Sequence, residues 1–303
     1  MKKKSYLYYL KRDKYLYLLL VLPIIYYAVF RYAPMYGVTI AFKDYNIFAG
    51  ITKSDWIGLD VFRDIFQMKE FYRTVRNTFL LNFLDLLFGF PFPIILALAL
   101  NEVRIKWFRK VSQSILYVPY FLSWIVIGGI VYQMFATNTG MFNNVLKLIG
   151  VAPIPFLTDG KNWLVLYTLV GIWQSAGWGM IIYMAAITGI NSELYDAVKV
   201  DGANRLQAII HVTIPGIKPT IVTMLIMSIG RLASIGFDRP FVMGNSLVLD
   251  YSDVISTFVY RIGIQSAKYN VAAAVGLFQS VINIALLLSA DRISKKINDQ
   301  GIF

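Results

Sequence analysis

Apolar residues in this chain gather into long blocks, not into the short periodic stripes of a water-soluble fold. Six blocks approach the roughly 20 residues that a helix needs to cross a bilayer. They fall at about 15–33, 77–100, 114–135, 163–190, 220–237 and 271–290. The fourth sits in an uncharged run from 162 to 192, the sixth in another from 269 to 290, and Arg231 interrupts the fifth. The pattern predicts an all-α integral membrane protein with six transmembrane helices, a single domain over residues 1–303. Residues 34–72 are long enough for an outer loop with a short helix. No Gly/Ser-rich linker, low-complexity tract or internal repeat interrupts this order. The bulky "FRYAPMYG" follows the first block and no small-residue cleavage site does, so the block reads as a span, not a cleaved signal.

Composition narrows the chemistry. The chain is 57% hydrophobic and 15% charged, with a mean hydropathy of +0.59. That leaves too few charges to cover a soluble domain of this length. The absence of cysteine excludes disulfides, thiolate metal sites and cysteine nucleophiles. A single histidine, His211, argues against zinc and against histidine-based catalysis, so no metal site and no catalytic residue is expected. The net charge of +12 comes with no basic-aromatic module of the kind that binds nucleic acid. It fits a membrane protein whose basic residues collect on the cytoplasmic side. Six spans put both termini on one side. Sixteen Lys and Arg lie in the start, the second-to-third loop, the segment after the fourth block and the tail, against twelve spread over much longer segments opposite. Density therefore predicts cytoplasmic termini in a bacterial plasma membrane.

One polar stretch stands apart. Residues 191–219, containing "ELYDAVKVDGANRLQAIIHVTIPGIKP", read as a cytoplasmic loop of two short helices. Asn191 or Ser192 can cap the first, and Glu193 suits its positive end. Leu194, Ala197 and Val198 share one face, and Ala203, Leu206 and Ile210 continue it. Gly202 suits a tight turn or a close backbone approach. Pro215 is expected to end the second helix and Pro219 to start the next span. A helix lying on lipid would account for the polarity but not for the spacing that follows.

That spacing runs Asp196-Ala197-Val198, three residues, Gly202, nine residues, Val212-x-Ile214-Pro215. It resembles the cytoplasmic coupling motif of binding-protein-dependent ABC importer permeases: Glu-Ala-Ala, three residues, Gly, nine residues, Ile-x-Leu-Pro. Every interval matches, and Asp196, Val198, Val212 and Ile214 depart mildly in type. Asp201-Gly202-Ala203 is similar to the carbohydrate branch of that family. So are "GFPFPIILALALNEVR" at 89–104, "ILYVPYFLSWIV" at 115–126 and "AVGLFQSVINIALLLSADRIS" at 274–294.

The resemblance implies the membrane subunit of an ATP-driven importer for carbohydrate, an oligosaccharide. It also implies a second homologous permease, two ATPase subunits and an external solute-binding protein as partners. The chain contains no G-x-x-x-x-G-K-[ST] loop, so ATP and Mg are expected on the ATPase partners, and this chain is expected to bind no cofactor. The coupling residues it implies are Asp196, Ala197, Val198, Asp201, Gly202, Ala203, Leu206 and Pro215. Their apolar face and acid would seat in a groove on the ATPase.

Ionisable groups inside spans usually face protein or water. Asp85 reads as a buried ion-pair or packing group. For Arg231, with Asp238 seven residues on, packing and substrate-path roles both stay open. Trp173, Gln174, Trp178 and Tyr183 offer aromatic platforms and an amide that suit a sugar, although aromatics also simply pack between helices. Gln279 and Asn283 share a face of the sixth block and either line the path or bond a neighbouring helix. A permease for another solute is the nearest alternative. An ion-coupled secondary transporter is a further one, and it would favour paired carboxylates or paired broken helices, neither of which the sequence displays.

Overall fold

The computed structural model describes residues 12–298, and side chains through residue 296. The basic residues expected to anchor the N-terminus at positions 2–11 lie outside the described residues. The main helices are α1 (Lys14–Phe42), α2 (Lys69–Asn101), α3 (Lys106–Phe121), α4 (Trp124–Phe135) and α5 (Gly160–Thr188). They are followed by α6 (Ser192–Val200), α7 (Arg205–Ile229), α8 (Asp238–Met243) and α9 (Tyr269–Asn298). Helices α1, α2, α5, α7 and α9 are each long and apolar enough to span a membrane, and the bent pair α3–α4 makes a sixth span. The fold is that of a six-span, all-α membrane protein, apart from a two-residue strand pair.

Contacts group the chain into two compact units. The first combines residues up to Gln67 with Arg261–Leu277. Its α1 is exposed from Tyr15 to Tyr36, as suits a helix whose solvent is lipid. After α1, strands β1 (Lys43–Asp44) and β2 (Asp55–Trp56) pair antiparallel, Lys43 opposite Trp56. Phe42 stacks on Trp56 at 5.4 Å, and Asn270 donates to the Lys43 carbonyl at 3.3 Å.

The second unit, Met68–Tyr260 with Phe278 onward, is built around α5. Asp159 caps α5 by accepting from the amides of Lys161 and Asn162 at 3.1 and 3.0 Å. Along α5, Trp163, Tyr167, Val170, Met180, Tyr183 and Ile187 recur at helical spacing and are buried. The upper part of this stripe joins Leu81, Ile127, Val131 and Met243 in one apolar cluster, while the lower part joins Ala97, Leu100 and Ile217 in another. Trp163 satisfies its indole N–H on the Met243 carbonyl at 2.7 Å. Close approach is set by Gly177, where a Cβ would overlap the Leu116 carbonyl of α3.

Two spans are broken, which the apolar pattern does not disclose. Between α3 and α4 the chain turns through 100°. Pro119 lies just before this turn, and Ser123 caps α4 by accepting from Val126 N at 3.3 Å. The fifth block, read as one span over 220–237, stops being helical after Ile229 and passes through an irregular stretch before α8. Arg231 and Asp238 therefore share no helical face. Pro215 does not end a helix either: α7 runs from Arg205 to Ile229 with a π-wound turn at Ile209–Thr213 directly before it. The wider turn accommodates a residue without an N–H, and Pro219 then lies inside the same helix.

Candidate functional site

The α6–α7 connection is a defined turn. Gly202 has φ +77, a conformation that disfavours any residue with a Cβ. Its amide bonds the Lys199 carbonyl at 3.1 Å, and the Ala203 amide bonds Val198 at 2.9 Å. This pair of bonds is the Schellman closure, which satisfies carbonyls that the helix end leaves without partners. On the far side Asn204 and Gln207 cap α7 reciprocally, at 2.9 and 2.7 Å. Asn191 caps α6 through Glu193 N at 3.0 Å. Each local signal thus stabilises the same two-helix shape.

What this segment presents is unusual for a polar loop. No residue of α6 is buried. Leu194, Val200, Leu206 and Ile210 are exposed, Val200 by 88%. Asp196, Ala197, Asp201, Gly202 and Pro215 are exposed as well, while Val198 and Ala203 are half-buried. Asp196 accepts from Lys199 at 3.3 Å, with both side chains open to solvent, so that contact contributes little. The segment is tied back to its own helix by Tyr195 and Thr213, whose hydroxyls lie 3.0 Å apart.

A second polar region surrounds the two broken spans. A break inside a membrane strands backbone carbonyls, which must be satisfied by side chains. Asn82 donates to the Leu232 carbonyl at 2.7 Å, Gln279 to Ala233 at 2.7 Å, and Gln174 to Tyr120 at 3.4 Å. Of the path residues expected from sequence, Gln174 and Gln279 thus hold helix breaks in place. Tyr183 is buried in the lower core, on a different face of α5 from the half-exposed Trp173 and Trp178. Trp178 stacks on Tyr120 with centroids 4.7 Å apart. Asn283 buries its Oδ1 without a partner among the described residues. Arg231 lines a cavity of about 280 Å³ with Asn82, Asp85, Ser228 and Ser234.

Asp85 has an ion-pair partner that sequence reading missed. Arg239 of α8 reaches it at 2.7 and 3.2 Å and also donates to the Tyr167 carbonyl at 2.6 Å. Its guanidinium lies 3.7 Å from the Tyr167 ring centroid and 5.4 Å from that of Trp124. Gly171 makes the room, since a Cβ there would overlap the guanidinium. No spacing rule links positions separated by 154 residues. The weak available signal was an acid in one span and a base just beyond another. The structure does contain two interrupted spans, which the sequence reading did not find, and the carboxylate of Asp85 beside them is paired with this arginine.

Six spans, with an exposed, capped helix and turn leading from the fourth into the fifth, fit a membrane component of a transport system. Residues 89–299 match the family described as "Binding-protein-dependent transport system inner membrane component", and the chain belongs to it. It is 42% identical to "Protein LplB" of Bacillus subtilis (strain 168), over 97% of this chain and 92% of that protein. It is 38% identical to "Polygalacturonan/rhamnogalacturonan transport system permease protein YteP" of the same organism, over 100% of this chain and 94% of that one. A solved structure of "a bacterial ABC transporter involved in the import of the acidic polysaccharide alginate" contains a chain with TM-score 0.88 and 40% identity, covering 95% of this chain and 98% of its own. A second, of an "alginate ABC transporter in complex with alginate pentasaccharide-bound periplasmic protein", gives TM-score 0.90 at 38% identity, covering 99% and 100%. The protein is a multi-pass permease of the bacterial membrane.

Proposed function

We propose that this permease imports an oligosaccharide, driven by ATP that other subunits hydrolyse. The observation that carries the coupling is the exposed α6–α7 pair, which offers an apolar face, an acid and a turn without a Cβ. In this reading Asp196, Ala197, Val198, Asp201, Gly202, Ala203 and Leu206 seat in a groove on a cytoplasmic ATPase, and Pro215 lies further along α7, the span that follows the groove's movement. Closure of the ATPases around ATP and Mg then shifts α6–α7, and the broken spans rock between inward-open and outward-open states. This chain holds no cofactor and performs no catalysis. A second, homologous permease completes the path, two ATPase subunits drive it, and an external solute-binding protein delivers the cargo. Both termini face the cytoplasm.

The carbohydrate assignment is supported by the relatives: the two solved transporters are alginate transporters, one with an alginate pentasaccharide on its periplasmic protein, and the similar permease YteP is named for polygalacturonan and rhamnogalacturonan. The exposed rings of Trp173, Trp178 and Tyr120 offer stacking faces for sugar C–H surfaces. The test is purification through a tag on this chain, followed by reconstitution with the solute-binding protein. ATPase subunits and a second permease should co-purify, and oligosaccharide uptake should require internal ATP. Uptake driven by an ion gradient without ATP would replace this reading with a secondary transporter. Tags at Lys3 and Phe303 should resist external protease in intact cells, and their cleavage would reverse the orientation.

A further inference from the structure

Arg231 is the unexplained charge of the broken spans. It follows the last turn of α7, is exposed, and forms no ion pair among the described residues. A cation in an apolar span is expensive unless something uses it. Its cavity, about 280 Å³, is close to the lower end of small-ligand sites. The other polar groups there are largely committed. Both Asp85 oxygens are held by Arg239, the Asn82 amide by Leu232 O, and the Ser228 hydroxyl donates to Met224 O at 2.8 Å. These bonds leave acceptor oxygens on Asn82 and Ser228 beside one guanidinium that has no ion-pair partner among the described residues. Neutral acceptors suit sugar hydroxyls, and a planar two-pronged donor suits a carboxylate.

We infer that Arg231 recognises the carboxylate of a uronate residue as it passes, so that the cargo is an acidic oligosaccharide. This rests on the oligosaccharide reading above and narrows it. One arginine with neutral acceptors holds a uronate less tightly than a cage of cations would, which suits a step that must also release.

The test uses the whole complex, purified through this chain and reconstituted in vesicles with its solute-binding protein and internal ATP. The probes are trigalacturonate, its fully methyl-esterified form, and neutral maltotriose. The wild type should import the acid in preference to the ester. Arg231→Gln should lower uptake of the acid about tenfold or more, the loss of one charge-assisted contact, and leave the ester unchanged. Equal loss for acid and ester would mean that Arg231 serves assembly with the second permease, and it overturns the inference. So does unchanged acid uptake. Import of maltotriose with no trigalacturonate overturns this inference alone, whereas import of no saccharide overturns the oligosaccharide reading beneath it. Should Arg231→Gln not assemble, Arg231→Lys keeps the charge and loses the fork. A loss confined to the acid then supports the assignment, and an equal loss rejects it.

Discussion

Arg239 and Asp85, 154 residues apart, form a two-contact ion pair at 2.7 and 3.2 Å that fastens the segment after one broken span to the middle of α2. The guanidinium is mostly buried, with its side chain 13% exposed, and its third contact is the Tyr167 carbonyl on α5. Three elements therefore depend on one arginine. Removing one partner of such a pair leaves the other uncompensated, which costs about 3 kcal/mol. Arg239→Gln and Asp85→Asn should each reduce the abundance and melting temperature of the purified complex. The double variant Arg239→Met/Asp85→Leu should recover part of the loss, because no uncompensated charge remains. Equal damage in the double and single variants would show that the charges themselves are required.

Gly177 tests the packing of α3 on α5. A Cβ would overlap the Leu116 carbonyl, and backbone cannot swing aside as a side chain can. Gly177→Ala should destabilise the protein by about 1–3 kcal/mol, the usual range for overpacking. Gly129→Ala is the matched control, because nothing lies within 4 Å of its Cβ position. A thermal melt of both variants distinguishes steric overlap from a general effect of alanine.

Gly202 tests the coupling turn, and here two effects separate. Within the chain nothing lies within 4 Å of a Cβ at Gly202, so only the φ of +77 penalises a side chain. That strain costs about 1 kcal/mol. Gly202→Ala should therefore insert and fold nearly as the wild type does. Gly202→Asp should insert yet lose both uptake and co-purified ATPase, because the added bulk meets the partner. Asp196→Lys should behave likewise, and Asp196→Glu should retain activity. Normal uptake and ATPase recovery in Gly202→Asp and Asp196→Lys would remove this segment from coupling.

Gln279 distinguishes a structural amide from a substrate contact. Gln279→Leu leaves the Ala233 carbonyl without its donor, a loss of about 1–3 kcal/mol for a buried group. The melting temperature should fall together with uptake. A fall in uptake at unchanged melting temperature would return Gln279 to the sugar path.

Trp173 and Trp178 should part company in the same assays. Trp178→Ala removes the stack on Tyr120 and should cost about 0.5–1.5 kcal/mol beyond lost area. Trp173 makes no ring stack among the described residues, so Trp173→Ala should lower the melting temperature less than Trp178→Ala and still lower uptake. Normal uptake by Trp173→Ala, Gln174→Ala and Trp178→Ala would place the path elsewhere.

By itself the sequence determined the solvent, the number of spans and the turn. Blocks of about 20 apolar residues can bury themselves only in lipid, whatever their neighbours do. The start of α6 and its turn were equally legible, because a cap and a positive-φ glycine act within a few residues, as Asn191 and Gly202 do here. The Asn204–Gln207 capping box is just as local but went unread, and the run of α7 through Pro215 was not foreseen. Only the tertiary structure decided where spans break and what holds the breaks. Ser123 and Gly230 are ordinary residues in apolar runs, and a helix opens there because distant groups take over its carbonyls. Asn82 does so for Leu232 and Gln279 for Ala233. The same holds for Asp85, whose role depended on an arginine brought to it by the fold. Local chemistry is written in neighbouring letters, whereas the pairing of buried polar groups depends on which helices lie side by side.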